Sequence, residues 1–313
     1  MVLKLGRINF EERDIISIRD FTRNEIDHIL KVTDLMEPLA RKGSKILQAR
    51  MLATLFFEPS TRTRLSFEAA MQRLGGSVIG ITDAKVSSIE KGENLADTIR
   101  VVEHYADVIV LRHPFEGAAR MAAEFATIPI INAGSGAEEH PTQALLDLYT
   151  IQREKGAIDG LTIAFLGDLR YSRTAHSLAY ALSLYDVKLY LISPDLLRIR
   201  REVLDDVKNK VRVTEKENIN KVIQDIDVLY VTRIQKERFP DPAEYAKVRG
   251  SYQITMDVLR NAKRNLIVMH PLPRVEEVSP EVDASPHAKY FDQARYGLWL
   301  RMALLALVLG AIR

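Results

Sequence analysis

Apolar positions along this chain repeat in two ways, every residue and every three to four residues, and the two patterns alternate. Met51-Leu52-Ala53-Thr54-Leu55 is a continuous apolar run, which predicts a strand buried on both faces. Behind it Leu65, Ala69, Ala70, Met71 and Leu74 recur at helical spacing until Gly75-Gly76 end the pattern. Upstream, residues 17–40 read as two amphipathic stretches. Downstream come a strand at 78–81, a polar stretch at 82–94, a helix at 95–105 and a strand at 108–111. A helix at 118–126 and a strand at 128–131 follow, then a break at Gly134-Ser135-Gly136 and a helix opened by His140-Pro141-Thr142-Gln143. Residues 156–160 read as a hinge, after which the alternation restarts. Strands are expected at 161–167, 187–192, 211–213, 228–232 and 266–269, with helices at 174–185 and 196–207 between them. The last helix, 298–309, is apolar nearly all round and must be buried.

Strand–helix alternation argues for parallel sheets covered by helices on both faces. At 313 residues the chain exceeds one ordinary domain. The expected architecture is α/β: two doubly wound parallel-sheet domains with the active site in the cleft between them. The expected boundaries give one domain residues 1–141 plus 297–313 and the other residues 142–296.

Composition narrows the chemistry. Hydrophobic residues at 47% and charged residues at 27% are ordinary for a globular protein, and a net charge of +2 gives no bulk field for nucleic acid or a membrane surface. The absence of cysteine excludes disulfides, thiolate metal sites and cysteine nucleophiles. The first residues lack the apolar core of a signal peptide, and the 298–309 stretch is interrupted by Arg301 and too short to span a bilayer. A cytoplasmic protein, with no membrane and no nucleic-acid partner, is expected.

The chemistry sits where strands end. Ser60-Thr61-Arg62-Thr63-Arg64 lies between a strand and a helix, so hydroxyls, guanidinium groups and the free amides of a helix N-terminus converge. Such a site suits an anion, phosphate above all. Other expected strand ends carry Arg112-His113, then His140 and Gln143, then Asp168, Arg170 and Arg173. The last two carry Thr232-Arg233-Ile234-Gln235 and His270-Pro271-Leu272-Pro273-Arg274. A lone arginine is usually a solvated charge and a lone histidine a satisfied one. Six such strand ends together point to polyanionic ligands, because arginine holds planar carboxylates and phosphates bidentately. There is no G-x-x-x-x-G-K-[ST], no glycine-spaced dinucleotide fingerprint after Gly167, and no H-E-x-x-H. No metal and no cofactor are expected.

These residues resemble the aspartate/ornithine carbamoyltransferase family. Ser60-Thr61-Arg62-Thr63-Arg64 looks like its carbamoyl-phosphate signature, and the likeness runs on through Lys91-Gly92-Glu93, Arg112-His113-Pro114, His140-Pro141-Thr142-Gln143 and Gly167-Asp168-Leu169. It continues through residues 232–238 and His270-Pro271-Leu272-Pro273-Arg274, which resemble the aspartate branch. The ornithine branch would show cysteine in the last motif and a Ser-Met-Gly loop, and this chain has neither.

The resemblance implies carbamoyl transfer from carbamoyl phosphate to the amine of L-aspartate, an early step of pyrimidine biosynthesis. It makes residues 1–141 plus 297–313 the carbamoyl-phosphate-binding domain and 142–296 the aspartate-binding domain. Ser60, Thr61, Arg62 and Thr63 would hold the phosphate; Arg112, His140 and Thr63 the carbamoyl oxygen; Gln143 its amide. Arg173, Arg233 and Gln235 would hold aspartate, and the carbonyls of Pro271 and Leu272 would meet the carbamoyl NH2 and the incoming amine. Ser87 and Lys91 would come from a neighbouring subunit of a homotrimer with shared sites, Lys91 on a closing lid. Ser88, next to Ser87, leaves that assignment ambiguous by one residue. Leu272–Pro273 would be cis. The catalytic set is then Arg62, Thr63, Arg112, His140 and Lys91. Two rivals remain: an ornithine-type carbamoyltransferase, which two carboxylate-binding arginines disfavour, and a non-catalytic anion-binding relic of the fold. A separate regulatory chain is left open.

Overall fold

The computed structural model describes residues 8–81, 92–236, 239 and 241–312. The chain divides into two compact units, Met1–Leu145 with Tyr296–Arg313, and Leu146–Arg295.

The first unit opens with a 3-10 turn, Ile18–Asp20, and a single helix α1, Arg23–Lys42, where the apolar pattern suggested two amphipathic stretches. What separates turn from helix is Thr22: its hydroxyl accepts from Glu25 N–H while the Glu25 carboxylate accepts from Thr22 N–H, a reciprocal cap that starts α1 afresh. Next come β1 (Met51–Phe56), α2 (Thr61–Arg73), β2 (Ser77–Ile81), α3 (Leu95–Val102) and β3 (Val108–His113). The unit continues with α4 (Ala118–Phe125), β4 (Ile130–Ser135) and the start of α5 (Pro141–Lys155). Its sheet is parallel throughout in the order β2-β1-β3-β4, with Leu52 between Val78 and Val108. The buried face of α2 is Thr63, Phe67, Ala70, Met71 and then Leu74, whereas Leu65, which the apolar pattern places with the core, is exposed. Residues 63, 67, 70, 71 and 74 share one 3.6-period stripe, and 65 lies roughly 160–200° from its neighbours in that stripe. The helix ends at Gly75 (φ +89°), where a Cβ would sit 2.7 Å from the Ser44 carbonyl oxygen.

The second unit holds β5 (Thr162–Gly167), α6 (Arg173–Leu182), β6 (Lys188–Ile192), α7 (Arg201–Lys208), β7 (Arg212–Lys216) and β8 (Val228–Thr232). It then adds α8 (Pro242–Val248), α9 (Met256–Leu259), β9 (Ile267–Met269) and the start of α10 (Tyr290–Val308). Its parallel sheet runs β7-β6-β5-β8-β9. The helices α8 and α9 are absent from the apolar pattern because seven and four residues are too few to display a period. The final helix begins eight residues before the expected 298. The buried Arg301 on α10 sets its guanidinium over the Phe67 ring, 5.2 Å from the centroid, a cation–π contact for a charge in the helix's apolar C-terminal half. Among the described residues no helix is long and apolar enough to cross a membrane.

Both strand orders reverse direction once. In the first unit the chain leaves β1 for β2 on one side and returns to β3 on the other; in the second it leaves β5 for β6 and returns to β8. In open α/β sheets the crevice outside the carboxyl ends of those two strands is where ligands bind. The strand ends β1/β3 and β5/β8 are therefore the positions where functional groups should appear.

Candidate active site

At the β1/β3 ends, Phe57 N–H donates to the Arg112 carbonyl at 2.9 Å, locking the two strand exits together. The chain turns through Glu58-Pro59-Ser60 into α2. Ser60 is the N-cap residue, yet its side chain makes no cap hydrogen bond, and the first bond of the helix is Arg64 N–H to the Ser60 carbonyl. The N–H groups of Thr61, Arg62 and Thr63 therefore stand ahead of the helical ladder, beside an uncommitted hydroxyl. Thr61 and Arg62 are exposed and Thr63 is buried. Arg64 turns the other way and pairs with Glu68 at 3.3 Å on its own helix, so it supports the helix and not the anion site.

Arg112, buried, donates to the Ala133 carbonyl at 3.0 Å and to the Glu58 carboxylate at 2.9 Å. Its neighbour His113 accepts from Phe115 N–H at Nδ1 (3.1 Å), which fixes the neutral ring with its proton on Nε2. Burial lowers the His113 pKa, with the Glu58 charge opposing. From β4, Asn132 accepts from Gly134 N–H (2.8 Å) and the Ser135 hydroxyl (3.0 Å) and shapes the turn that follows. His140 and Gln143 are buried at the start of α5, where the His140 carbonyl accepts from Gln143 N–H and Pro141 occupies the first helical position. The adjacent Glu139 faces elsewhere: it accepts from the Ser17 hydroxyl and from Ile18 N–H, tying down the N-terminal segment, and burial raises its pKa.

At the β5/β8 ends the organiser is Asp168. Its carboxylate is fully buried and accepts from Arg170 N–H (3.1 Å), Tyr171 N–H (2.9 Å) and Gln235 N–H (3.3 Å). Burial pushes its pKa up to about 6, against those backbone donors and the charge of Arg233. Thr232 donates to the Asp168 carbonyl at 3.1 Å, and Gln235 Nε2 donates to the Tyr171 carbonyl at 3.1 Å. Gly167 (φ +120°) is obligatory here, since a Cβ would lie 2.1 Å from the Thr232 carbonyl oxygen. Half-buried Arg233 and Gln235 thus leave β8 on a loop pinned to the loop after β5, and half-buried Arg173 opens α6 immediately behind the Ser172 cap. Arg170, in contrast, is exposed and donates to the Leu196 carbonyl.

After β9, Pro271 and Leu272 are half-buried, Leu272 has φ +56°, and Leu272–Pro273 is cis as the resemblance implied. Arg274 leaves this group to pair with Asp283 and the Tyr290 hydroxyl. Ser87, Ser88 and Lys91 lie outside the described residues. The pattern of residues therefore collects, within the first unit, Ser60, Thr61, Arg62, Thr63 and Arg112 at one pair of strand ends, with His140 and Gln143 at the head of the helix after β4. Within the second it collects Arg173, Arg233 and Gln235 around Asp168, with Pro271 and Leu272 on the β9 loop. The groups that hold these in place, Glu58, Asn132, Glu277 and Gln293, carry no signal in the sequence. Glu58 and Gln293 are far in sequence from their partners, Asn132 turns from the end of β4 to the residues just after it, and Glu277 sits in an irregular loop, so no local spacing marks any of the four.

Two units, each with arginines at the reversal point of a parallel sheet and no acidic residue in the first turn of the helix that follows, define an α/β class whose strand ends suit anions. Comparison with known proteins gives this class its family. The carbamoyl-P binding domain of aspartate/ornithine carbamoyltransferases matches residues 13–153, and the Asp/Orn binding domain of the same proteins matches residues 159–308. The chain belongs to the aspartate/ornithine carbamoyltransferase family. It is 60% identical to the aspartate carbamoyltransferase catalytic subunit of Thermococcus kodakarensis, over 97% of this chain and 99% of that one. It is 59% identical to the subunit of the same name from Thermococcus gammatolerans, over 97% and 100%. Among solved structures, the catalytic subunit of M. jannaschii aspartate transcarbamoylase is 56% identical with a TM-score of 0.87, covering 93% of this chain and 96% of that chain. The Trypanosoma cruzi aspartate transcarbamoylase in complex with carbamoyl phosphate and aspartate is 43% identical with a TM-score of 0.92, covering 96% and 98%.

Proposed function

We propose that this protein transfers the carbamoyl group of carbamoyl phosphate to the amine of L-aspartate, giving N-carbamoyl-L-aspartate and phosphate. The observation that carries the reading is the likeness, along nearly the whole chain, to a transcarbamoylase solved with both of those substrates.

The first unit's residues take carbamoyl phosphate. The amides at the start of α2, with Ser60, Thr61, Arg62 and Thr63, receive the phosphate; Arg112, His140 and Thr63 receive the carbamoyl oxygen; Gln143 receives the carbamoyl NH2. The second unit's Arg173, Arg233 and Gln235 take the two aspartate carboxylates, and the carbonyls of Pro271 and Leu272 accept from the carbamoyl NH2 and the amine. The neutral amine attacks the carbonyl carbon, a C–N bond forms, and negative charge builds on the carbonyl oxygen opposite Arg112, His140 and Thr63. The C–O bond to phosphate then breaks, and the amine's proton leaves with the phosphate. Orientation and fixed charge supply the acceleration, with no covalent enzyme intermediate.

Ser87 and Lys91 complete the site from a neighbouring subunit of a homotrimer, with Lys91 neutralising charge on the leaving phosphate. The protein acts in the cytoplasm in pyrimidine biosynthesis, and a separate regulatory chain is a partner to test for. Mixing inactive Arg112→Ala and Lys91→Ala subunits tests the shared site: recovered turnover is expected, and a mixture as inactive as its parents contradicts sharing.

A further inference from the structure

We propose that His270 is a positioning residue: held as its Nε2–H tautomer by Glu277, it fixes the Leu272 N–H and thereby aims the Pro271 carbonyl at the substrate. The inference rests on the carbamoyl-transfer reading above.

A backbone N–H can only donate, so the 2.8 Å contact from Leu272 N to His270 Nδ1 makes that nitrogen an acceptor. The neutral ring must then carry its proton on Nε2, which lies 2.7 Å from Glu277 Oε1 and donates to it. Glu277 is occupied on its other side as well, accepting from Val275 N–H and Glu276 N–H, each at 3.1 Å. One imidazole and one carboxylate thus hold the loop at Leu272, Val275 and Glu276. The main chain of His270 is anchored too: its N–H donates to Gln293 Oε1 (2.9 Å), and Gln293 Nε2 donates to the buried Asp147 (2.7 Å). His270, Glu277, Gln293 and Asp147 are all buried, so each bond forms without competition from water.

The consequence for the loop follows from peptide geometry. In a trans peptide the C=O of one residue and the N–H of the next point in opposite directions. Pinning Leu272 N–H to the ring therefore turns the Pro271 carbonyl directly away from it. Leu272 is held at φ +56°, a region that a non-glycine residue keeps only when its surroundings impose it. The ring is the part of those surroundings that bonds Leu272 itself.

The electrostatics favour the same tautomer. Burial lowers the His270 pKa, and the charges of Arg274 and Arg233 act in the same direction, while Glu277 opposes them. Burial alone would raise the Glu277 carboxyl, but the His270 hydrogen bond and the backbone donors outweigh it and leave its pKa lowered. The pair is a neutral histidine beside an ionised glutamate. Protonating Nδ1 would set two donors face to face at Leu272.

Paired isosteres separate this role from mere packing. In His270→Asn the amide oxygen can reach the Nδ1 position; in His270→Gln the amide reaches the Nε2 position and Leu272 N–H loses its acceptor. With carbamoyl phosphate and aspartate as substrates, kcat should fall on the order of 10²-fold in His270→Gln and less than about 10-fold in His270→Asn, with KM for aspartate little changed in both. Equal losses in the two variants would overturn the proposal. The 15N spectrum of histidine-labelled wild type, which needs no variant to fold, should show His270 protonated at Nε2 only, from about pH 6 to 8. A ring protonated at Nδ1 in that range would overturn it as well. Wild type that forms no carbamoyl-aspartate would instead defeat the underlying reading.

Discussion

The two sets of strand ends solve one problem, presenting cationic groups to anions, by opposite means. In the first unit the groups proposed to face ligand belong to regular elements. The α2 N-terminus offers amides that the helix leaves unused, and Ser60 sits at the cap position without capping. In the second unit Arg173 opens a helix, but Arg233, Gln235, Pro271 and Leu272 stand on loops that buried carboxylates hold in place: Asp168 gathers three N–H groups from the loops after β5 and β8, and Glu277 gathers two more beside His270. The N-cap of α6 completes the contrast, because Ser172 accepts from Ala175 N–H and its hydroxyl is committed to the helix. A helix end needs little support to bind phosphate, since its dipole and amides come with the backbone. A site for a small dicarboxylate needs side chains at set positions on loops, and so it needs ionised groups buried beneath them.

The largest effect expected from this contrast is at Arg62. Arg62→Ala should lower kcat more than about 10³-fold, because it removes a charge as well as hydrogen bonds from the leaving phosphate. Near-normal turnover would remove α2 from the chemistry. Arg233→Ala should raise KM for aspartate on the order of 10²-fold, the scale of about 2–3 kcal/mol for an unpaired carboxylate, and leave KM for carbamoyl phosphate nearly unchanged. Steady-state kinetics with each substrate varied checks both, and parallel shifts in the two KM values would erase the division between the regions.

Asp168→Asn tests the buried support itself. An amide cannot accept at both oxygen positions, so the Gln235 contact is lost, and KM for aspartate should rise about tenfold. The same variant should alter the pH dependence of stability. The folded pKa of Asp168, about 6, lies above its ordinary 3.8, so the native state holds a proton that the unfolded chain has lost across that interval. Stability should therefore decline as pH rises from about 4 to 6, by on the order of 3 kcal/mol from this group once it is ionised. Denaturant unfolding across that range should show a weaker decline in Asp168→Asn; an identical slope would mean that Asp168 titrates normally.

The smallest effect is the most discriminating between the regions. Ser172→Ala should cost about 1 kcal/mol of stability, as the loss of a working N-cap does. Ser60→Ala should cost less than about 0.5 kcal/mol and appear instead as a higher KM for carbamoyl phosphate. Equal stability losses would show that Ser60 is an ordinary cap.

The same contrast decides what could be read from the sequence. Strand–helix alternation marks the nine strands of the described residues and most of their helices, because buried parallel strands such as β1, β3, β5 and β8 are unbroken apolar runs, while the largely exposed edge strands β2 and β7 show only short ones. The anion site at α2 was legible because its groups are contiguous, Ser60 to Thr63, and the backbone supplies the rest. Arg173, Arg233 and Gln235 could be named from strand ends and resemblance, but their supports could not. Asp168 is marked only as a polar residue after a strand and as part of the Gly167-Asp168-Leu169 motif, with nothing to say which N–H groups it gathers. Glu277 and Gln293 showed nothing, since their meaning lies in contacts with His270 that three-dimensional folding creates. Leu65 misled because a two-residue offset on a helix is nearly the opposite face.

The central claim is that one chain joins these two kinds of site to move a carbamoyl group onto aspartate. Purified protein incubated with carbamoyl phosphate and either L-aspartate or L-ornithine, with carbamoylated product and phosphate both quantified, tests it most directly. The account predicts N-carbamoyl-L-aspartate and phosphate in equal amounts and no product from ornithine. Product from ornithine alone, or phosphate release without carbamoyl-aspartate, would contradict it.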